Sequence, residues 1–306
     1  MADEPFRPRF YLRGRPALDP DLTWGQVTRY HRWAEVAQTE WLTETGTVRI
    51  TFRVTDDEPF NFVPGQFITL EEEIPDLGPR RSLYCIYSPP AGDRRFTLLI
   101  RVLPDGYLSG HLASLEPGDT INFRGPSGRS MVPKDPDAEL IMLATGVGIS
   151  PFYSLLRHLA AQGERRRVRL YWGLRLTDDI CLLDELDALA RGPLDFRYHI
   201  SLTQPPLGWP DLRGRVSESV PPRLKTLGGK DFYLCGNGIM VEEMGLALRS
   251  LGVDRTHIHQ ERFFNLGHRP DPPVVRAIMA RFVATDIVSL TNLMLRVTPQ
   301  ADADTG

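Results

Sequence analysis

Residues 80–90 read RRSLYCIYSPP. Two arginines run straight into an aromatic stretch with a single cysteine. Such a surface can grip a phosphate at one end, through charge-assisted hydrogen bonds, and an aromatic ring at the other. Further along stands ATGVGISPF, residues 144–152. Gly146 and Gly148 allow a sharp turn and a close approach to a ligand. Ser150 is expected as the N-cap of a helix, with Pro151 in its first turn. Exposed amides and the helix dipole then form an anion site. The third glycine of the common GxGxxG dinucleotide fingerprint is absent, because Pro151 stands in its place. A third stretch, YLCGNG at 233–238, sets Cys235 and Gly236 at the carboxyl end of a strand. The three cysteines, Cys85, Cys181 and Cys235, lie far apart with no CxxC spacing. That argues against zinc or an iron–sulfur cluster built by this chain, and no metal site is expected.

The elements that must position these residues fall into two rhythms. From about 24 to 130 short strands alternate with turn residues: 46–54, 65–73, 82–88, 95–102 and 119–125. One helix is expected over YLSGHLASL, 107–115. This spacing predicts an antiparallel β-barrel or sandwich. From about 138 apolar strands alternate with helices, which predicts a parallel-sheet α/β unit with helices on both faces. Ligands of such sheets bind at the carboxyl ends of the strands. The expected division is an N-terminal arm (1–23), a barrel domain (24–132), an α/β domain (138–264) and a helical C-terminal extension (265–306), with PKDPDAE as linker.

At 306 residues the chain has ample core for two domains. A net charge of -3 disfavours nucleic acid as the main partner. The start, MADEPFRPRF, has no apolar run to act as a signal peptide, and three cysteines fit a reducing cytoplasm. Charges interrupt the apolar segment after Pro273, so no transmembrane segment is expected there.

RRSLYCIYSP, GYLSGHL, ATGVGISPF and YLCGNGIM occur in this order across an all-β to α/β transition. Together they resemble the ferredoxin–NADP⁺ reductase superfamily, over roughly residues 25–264. The resemblance implies a flavin-binding barrel joined to a nicotinamide-binding α/β domain. It implies that the strand at 81–85 carries an arginine for the flavin pyrophosphate, a tyrosine against the isoalloxazine and a hydroxyl beside the reactive ring nitrogen. Two registers fit. Counting from Arg81 puts Leu83 in the tyrosine place and Tyr84 in the hydroxyl place. Matching Tyr84 to the tyrosine puts Cys85 in the hydroxyl place and Ser82 where arginine belongs. The second is preferred, with a β-bulge to reconcile Arg81 with Tyr84. Gly106, Tyr107, Leu108 and Ser109 match the segment that closes over the flavin pyrophosphate, with Ser109 opening a helix.

By the same resemblance, Thr145, Gly146, Val147, Gly148 and Pro151 hold the NAD(P) pyrophosphate. Arg175 stands where NADPH-preferring members carry an arginine for the 2′-phosphate, and Arg215 is a second candidate. Ser201 is followed by Leu202, which speaks for NADH; the balance leans to NADPH. Cys235 and Gly236 border the nicotinamide. Glu261 matches an acidic residue near the flavin, and Phe264 the aromatic that covers the ring. The function implied is a reductase that relays electrons from NADPH or NADH through FAD to ferredoxin or flavodoxin. Rival readings are an NADH-dependent oxygenase reductase component, a flavin or haem-protein reductase, and a flavin-binding interaction subunit without turnover. The extension is expected to pack near the flavin, on this chain or on a homodimer mate.

Overall fold

The computed structural model describes residues 31–74, 78–103, 107–224 and 226–263, with backbone alone for 71–74, 78–81 and Tyr107. The N-terminal arm, Gly106, Phe264 and the extension lie outside the described residues.

Six antiparallel strands form the first unit: β1 (His31–Thr43), β2 (Thr47–Val54), β3 (Phe67–Ile74), β4 (Gly78–Cys85), β5 (Arg95–Arg101) and β6 (Thr120–Ser127). Their order is β4-β3-β6-β1-β2-β5. A bridge from Ile86, just past β4, to Leu98 on β5 brings the two edge strands together. Edges that meet in this way remove unpaired ladder groups. The interior is a phenylalanine cluster: the Phe60 ring lies 4.9 Å from Phe96 and 5.5 Å from Phe123. All three are fully buried, at about 1.5–3 kcal/mol each. Helix α1 (Tyr107–Ser114) lays Leu108 and Leu112 on the same core.

β1 is the element that the sequence pattern does not announce. Its thirteen residues, HRWAEVAQTEWLT, mix charges and two exposed tryptophans with two fully buried residues, Ala34 and Val36. Its charges are answered by its surroundings: Arg32 pairs Asp56, Glu35 pairs Arg53, and Glu40 pairs Arg49. Cross-strand partners, not alternation, define this strand.

The second unit is a parallel sheet in the order β10-β9-β8-β7-β11-β12. Its strands are β7 (Glu139–Thr145), β8 (Arg167–Leu174), β9 (Asp195–Leu202), β10 (Leu212–Arg213), β11 (Lys230–Asn237) and β12 (Ile258–Phe263). Period-two side chains of β7 split between two cores. Leu140, Met142 and Ala144 face α2 (Ser150–Ala161) and α3 (Leu183–Ala190). Ile141 and Leu143 face the short α4 (Val216–Ser219) and α5 (Gly238–Ser250). The expected helices on both faces are therefore present.

Local details differ from the sequence expectation. Ser150 is not the cap of α2: Thr145 leads into a 3₁₀ turn, Gly146–Ile149, and the Ser150 hydroxyl donates to the Val147 carbonyl at 2.7 Å. α3 starts at Leu183, directly after Leu182, whose φ of 69° sets the helix start. α5 starts early, at Gly238, because the Asn237 side chain accepts from the Ile239 amide. α1 opens at Tyr107, two residues before Ser109. The β3–β4 ladder runs from Ile74↔Gly78 to Phe67↔Cys85 without a shift. The β-bulge expected between Arg81 and Tyr84 is absent.

The two units share a core. Phe67, Cys85, Tyr87, Leu99 and Met131 of the first pack in one cluster with Ile149, Phe152 and Tyr153 of the second. Tyr87 stacks flat on Tyr153, centroids 4.4 Å apart and planes within 1°. Ser154 donates to the Ser88 carbonyl at 2.7 Å. So RRSLYCIYSPP runs from the barrel edge into the seam between the units.

Candidate active site

β4 delivers Cys85 to that seam. From the other unit, β11 and β12 lie side by side with Cys235 opposite Glu261. The three side chains converge. Cys85 Sγ donates to Glu261 Oε1 at 3.0 Å, and the buried Cys85 and Cys235 thiols interact directly. Burial pushes the Cys85 thiol well up, and the neighbouring Cys235 and Glu261 add to it. Both thiols are therefore neutral donors near neutral pH, not nucleophiles. Burial also raises the Glu261 carboxyl, against the Cys85 and Ser130 side chains that favour its charge. Its second oxygen, Oε2, is buried with no hydrogen-bond partner among the described residues.

On the outer side of β4, Leu83 is 49 % exposed, whereas Tyr84 packs partly against the barrel core. Ser82 is half-buried. Leu108 is buried in the barrel core, and the Ser109 hydroxyl accepts from the Leu103 amide at 3.3 Å. The Arg81 side chain lies outside the described residues.

Beside the seam, at the carboxyl ends of the parallel strands, opens a cavity of about 400 Å³. Its floor is the Thr145–Val147 loop. Gly146 has φ +53°, and a Cβ there would meet open space. Trp172 donates from its ring nitrogen to the Gly146 carbonyl at 2.8 Å and so fixes the loop. Gly148 is needed for another reason than ligand approach. A Cβ there would lie 2.4 Å from the Cys235 carbonyl oxygen. Gly236, at φ +132°, would place a Cβ 2.3 Å from Thr145 Oγ1. Thr145 itself accepts from the Asn237 amide at 2.8 Å. Pro151 follows in the first turn of α2.

Arg175 and Arg215 both line this cavity. Arg175 is exposed and forms no ion pair with another described residue. Arg215 lies 3.5 Å from Glu243, a buried carboxylate of α5 that also accepts from Ser217. At the other lip, Arg101 of β5 reaches Asp179 at 3.1 Å. Loop amides, two arginines and apolar walls suit a phosphate-bearing ligand with an aromatic end. The unpartnered Glu261 oxygen and the exposed Leu83 face suit a second ring system at the seam.

Two family models match the chain: an oxidoreductase FAD-binding domain over residues 36–131, and an oxidoreductase NAD-binding domain over 142–245. Ferredoxin–NADP reductase B of Sorangium cellulosum (strain So ce56) is 35% identical over 223 residues, spanning 70% of this chain and 90% of that protein. The chain belongs to the ferredoxin–NADP⁺ reductase superfamily. The toluate 1,2-dioxygenase electron transfer component of Pseudomonas putida is 29% identical over 75% of this chain and 67% of its own. The fold matches a ferredoxin NADP⁺ reductase from Neisseria gonorrhoeae, solved with FAD and NADP, at a TM-score of 0.64 and 23% identity, covering 76% of this chain and 99% of that one. As a member of this superfamily, the chain is an FAD- and NAD(P)-dependent oxidoreductase.

Sequence reasoning found Cys85, Cys235 and Glu261, which this reductase brings together from three strands. It missed Trp172, Ser217, Glu243 and the Tyr87–Tyr153 stack. Glu243 did carry a signal: a charge on the helix face shared with the buried Met240 and Ala247, at i−3 and i+4.

Proposed function

We propose that this reductase passes electrons from NAD(P)H through FAD to a ferredoxin- or flavodoxin-type protein. The observation that carries the proposal is the convergence of Cys85, Cys235 and Glu261 at the seam, beside the strand-end cavity. Bound FAD supplies the chemistry: it accepts hydride as an electron pair and releases electrons singly. The chain's residues orient and enclose it. Arg81, Ser82, Leu83, Tyr84 and the segment Gly106–Ser109 hold the flavin. The amides of Thr145–Gly148, with Pro151 behind them, hold the coenzyme pyrophosphate; Arg175 and Arg215 face its adenosine end. Cys235 and Gly236 border the nicotinamide, and Phe264 covers the flavin ring. Cys85 donates a hydrogen bond from its thiol beside the reactive atoms. Glu261, its carboxyl raised by burial, accepts that thiol's hydrogen bond and holds it in place. The tight apolar seam excludes water.

The domain limits proposed are 24–132 and 138–264. The compartment proposed is the cytoplasm; among the described residues no helix is long and apolar enough to cross a membrane. The extension 265–306 is proposed to pack near the flavin, on this chain or on a homodimer mate. Light scattering of a chain ending at Asn265 separates the two: a fall from a dimer's mass to a single chain's supports the homodimer mate, and a fall by the deleted residues alone removes it.

A second reading, the reductase component of an oxygenase, is favoured by the toluate dioxygenase relative. One assay separates the two: cytochrome c reduction with NADPH or NADH, with and without added ferredoxin. A rate that appears only with ferredoxin supports the first reading. Transfer only to an oxygenase component supports the second.

A further inference from the structure

We propose that Glu243 sets the coenzyme choice of the cleft, and that it selects NADH, with its free 2′-hydroxyl, over NADPH. The proposal rests on the reading of the chain as an NAD(P)H reductase. Glu243 stands on α5 and lines the cavity, yet only 4% of its surface is exposed. A buried carboxylate is stable only if its acceptor positions are filled. An ionised carboxylate accepts about four hydrogen bonds. Here its partners among the described residues are two: the Ser217 hydroxyl, on Oε2, and Arg215, 3.5 Å from Oε1. Acceptor capacity therefore remains on a wall shared with Arg175 and the carboxyl ends of β8 and β9.

The hydroxyls of a ribose are donors and fit such an acceptor. A 2′-phosphate is acceptor-rich, offers no donor when fully ionised and carries a charge of about −1.5 to −2 near neutral pH. Glu243 repels it across a low-dielectric wall. The same carboxylate engages Arg215 and offsets part of its charge toward a phosphate. Of the two arginines on which an NADPH preference would rest, Arg175 alone is without an ion pair among the described residues. NADPH is disfavoured, not barred.

The test uses the flavin-loaded full chain. Calorimetry measures binding of NAD⁺ and NADP⁺, and of ADP-ribose and its 2′-phosphorylated form; steady-state assays give KM and kcat for NADH and NADPH. In the wild type, ADP-ribose should bind about tenfold or more tightly than its 2′-phosphorylated form. Glu243→Gln keeps the size and an acceptor for Ser217 but removes the charge. It should tighten NADP⁺ about tenfold or more while NAD⁺ weakens or holds, with the change falling on KM more than on kcat. Glu243→Asp should keep the wild-type preference. Parallel shifts for both coenzymes would make Glu243 merely structural, and weaker NADP⁺ binding in Glu243→Gln would make it a holder of Arg215 toward phosphate; either result overturns the proposal. So does a wild type that prefers the 2′-phosphorylated ligand, a measurement that stands even if Glu243→Gln does not fold. If neither coenzyme reduces the wild-type flavin, the reductase reading itself fails and takes this proposal with it. If both reduce it and the ratio does not move in Glu243→Gln, only the proposal fails.

Discussion

Cys85 and Glu261 form the contact on which the site's chemistry turns, at 3.0 Å across the seam. A thiol is a weaker donor than a hydroxyl. Cys85→Ser should therefore keep or raise the rate of flavin reduction by NAD(P)H, and Cys85→Ala should slow it about tenfold, the worth of one lost hydrogen bond. Stopped-flow reduction reads both, and unchanged rates in both variants would place Cys85 in the core alone. Glu261 gives a pH signature. Its folded carboxyl is raised above the ordinary value of 4.5 by burial. The folded state thus holds the proton longer than the unfolded chain, and stability falls as pH rises from 4.5 through the folded value. Glu261→Gln should flatten that fall in pH-dependent denaturant melts. An equal slope in both proteins would contradict the buried, proton-holding carboxyl. Cys85 and Cys235 were legible because each stands at or near the end of a strand, next to a recognisable motif. Glu243 was legible only as a charge on a buried helix face; its meaning lies in what α4 and the residue before it bring against α5, and no local spacing carries that.

Among the elements, β7 and β11 run side by side so closely that Gly236 is a packing requirement. Its φ is +132°, and a Cβ on it would stand 2.3 Å from Thr145 Oγ1, which leaves no room for a side chain. Gly236→Ala should cost about 3 kcal/mol, from backbone strain and overpacking together. A chemical melt within about 1 kcal/mol of wild type, roughly the size of an ordinary substitution, would refute the tight β7–β11 approach. The motif placed Gly236 at the nicotinamide border; the structure ties the same glycine to a neighbouring strand. The parallel strands of the second unit were legible because burial on both faces makes them continuous apolar runs. β1 was not, because its outward face is charged and satisfied by partners from β2 and from the loop after it.

Across the molecule, the two units are joined by an apolar seam and by two ion pairs that cross it. Arg101 of the barrel reaches Asp179, and Arg49 reaches Glu185 at 3.3 Å. Burial opposes the charge on Asp179, but Thr45, the Leu176 amide and Arg101 outweigh it and hold the carboxyl below its usual 3.8. The stability this contributes is present above 3.8 and is lost as pH falls through the lower folded value. Asp179→Asn should therefore lose less stability than wild type on acidification below that point. A double-mutant cycle with Arg101→Gln should give a coupling of about 0.5–1 kcal/mol, smaller at high salt. No coupling would show that the Arg101–Asp179 pair adds nothing to the fastening of the seam. The two-unit order was legible from the change of rhythm near residue 138, whereas the seam contacts join residues far apart in the chain and had no sequence pattern. Everything above turns on NAD(P)H reducing a flavin held at this seam. Anaerobic mixing of the purified yellow protein with NADH, and separately with NADPH, tests that most directly. The flavin colour should bleach with one equivalent of coenzyme per flavin, and faster with NADH than with NADPH at the same concentration. A colour that persists with both coenzymes would contradict it.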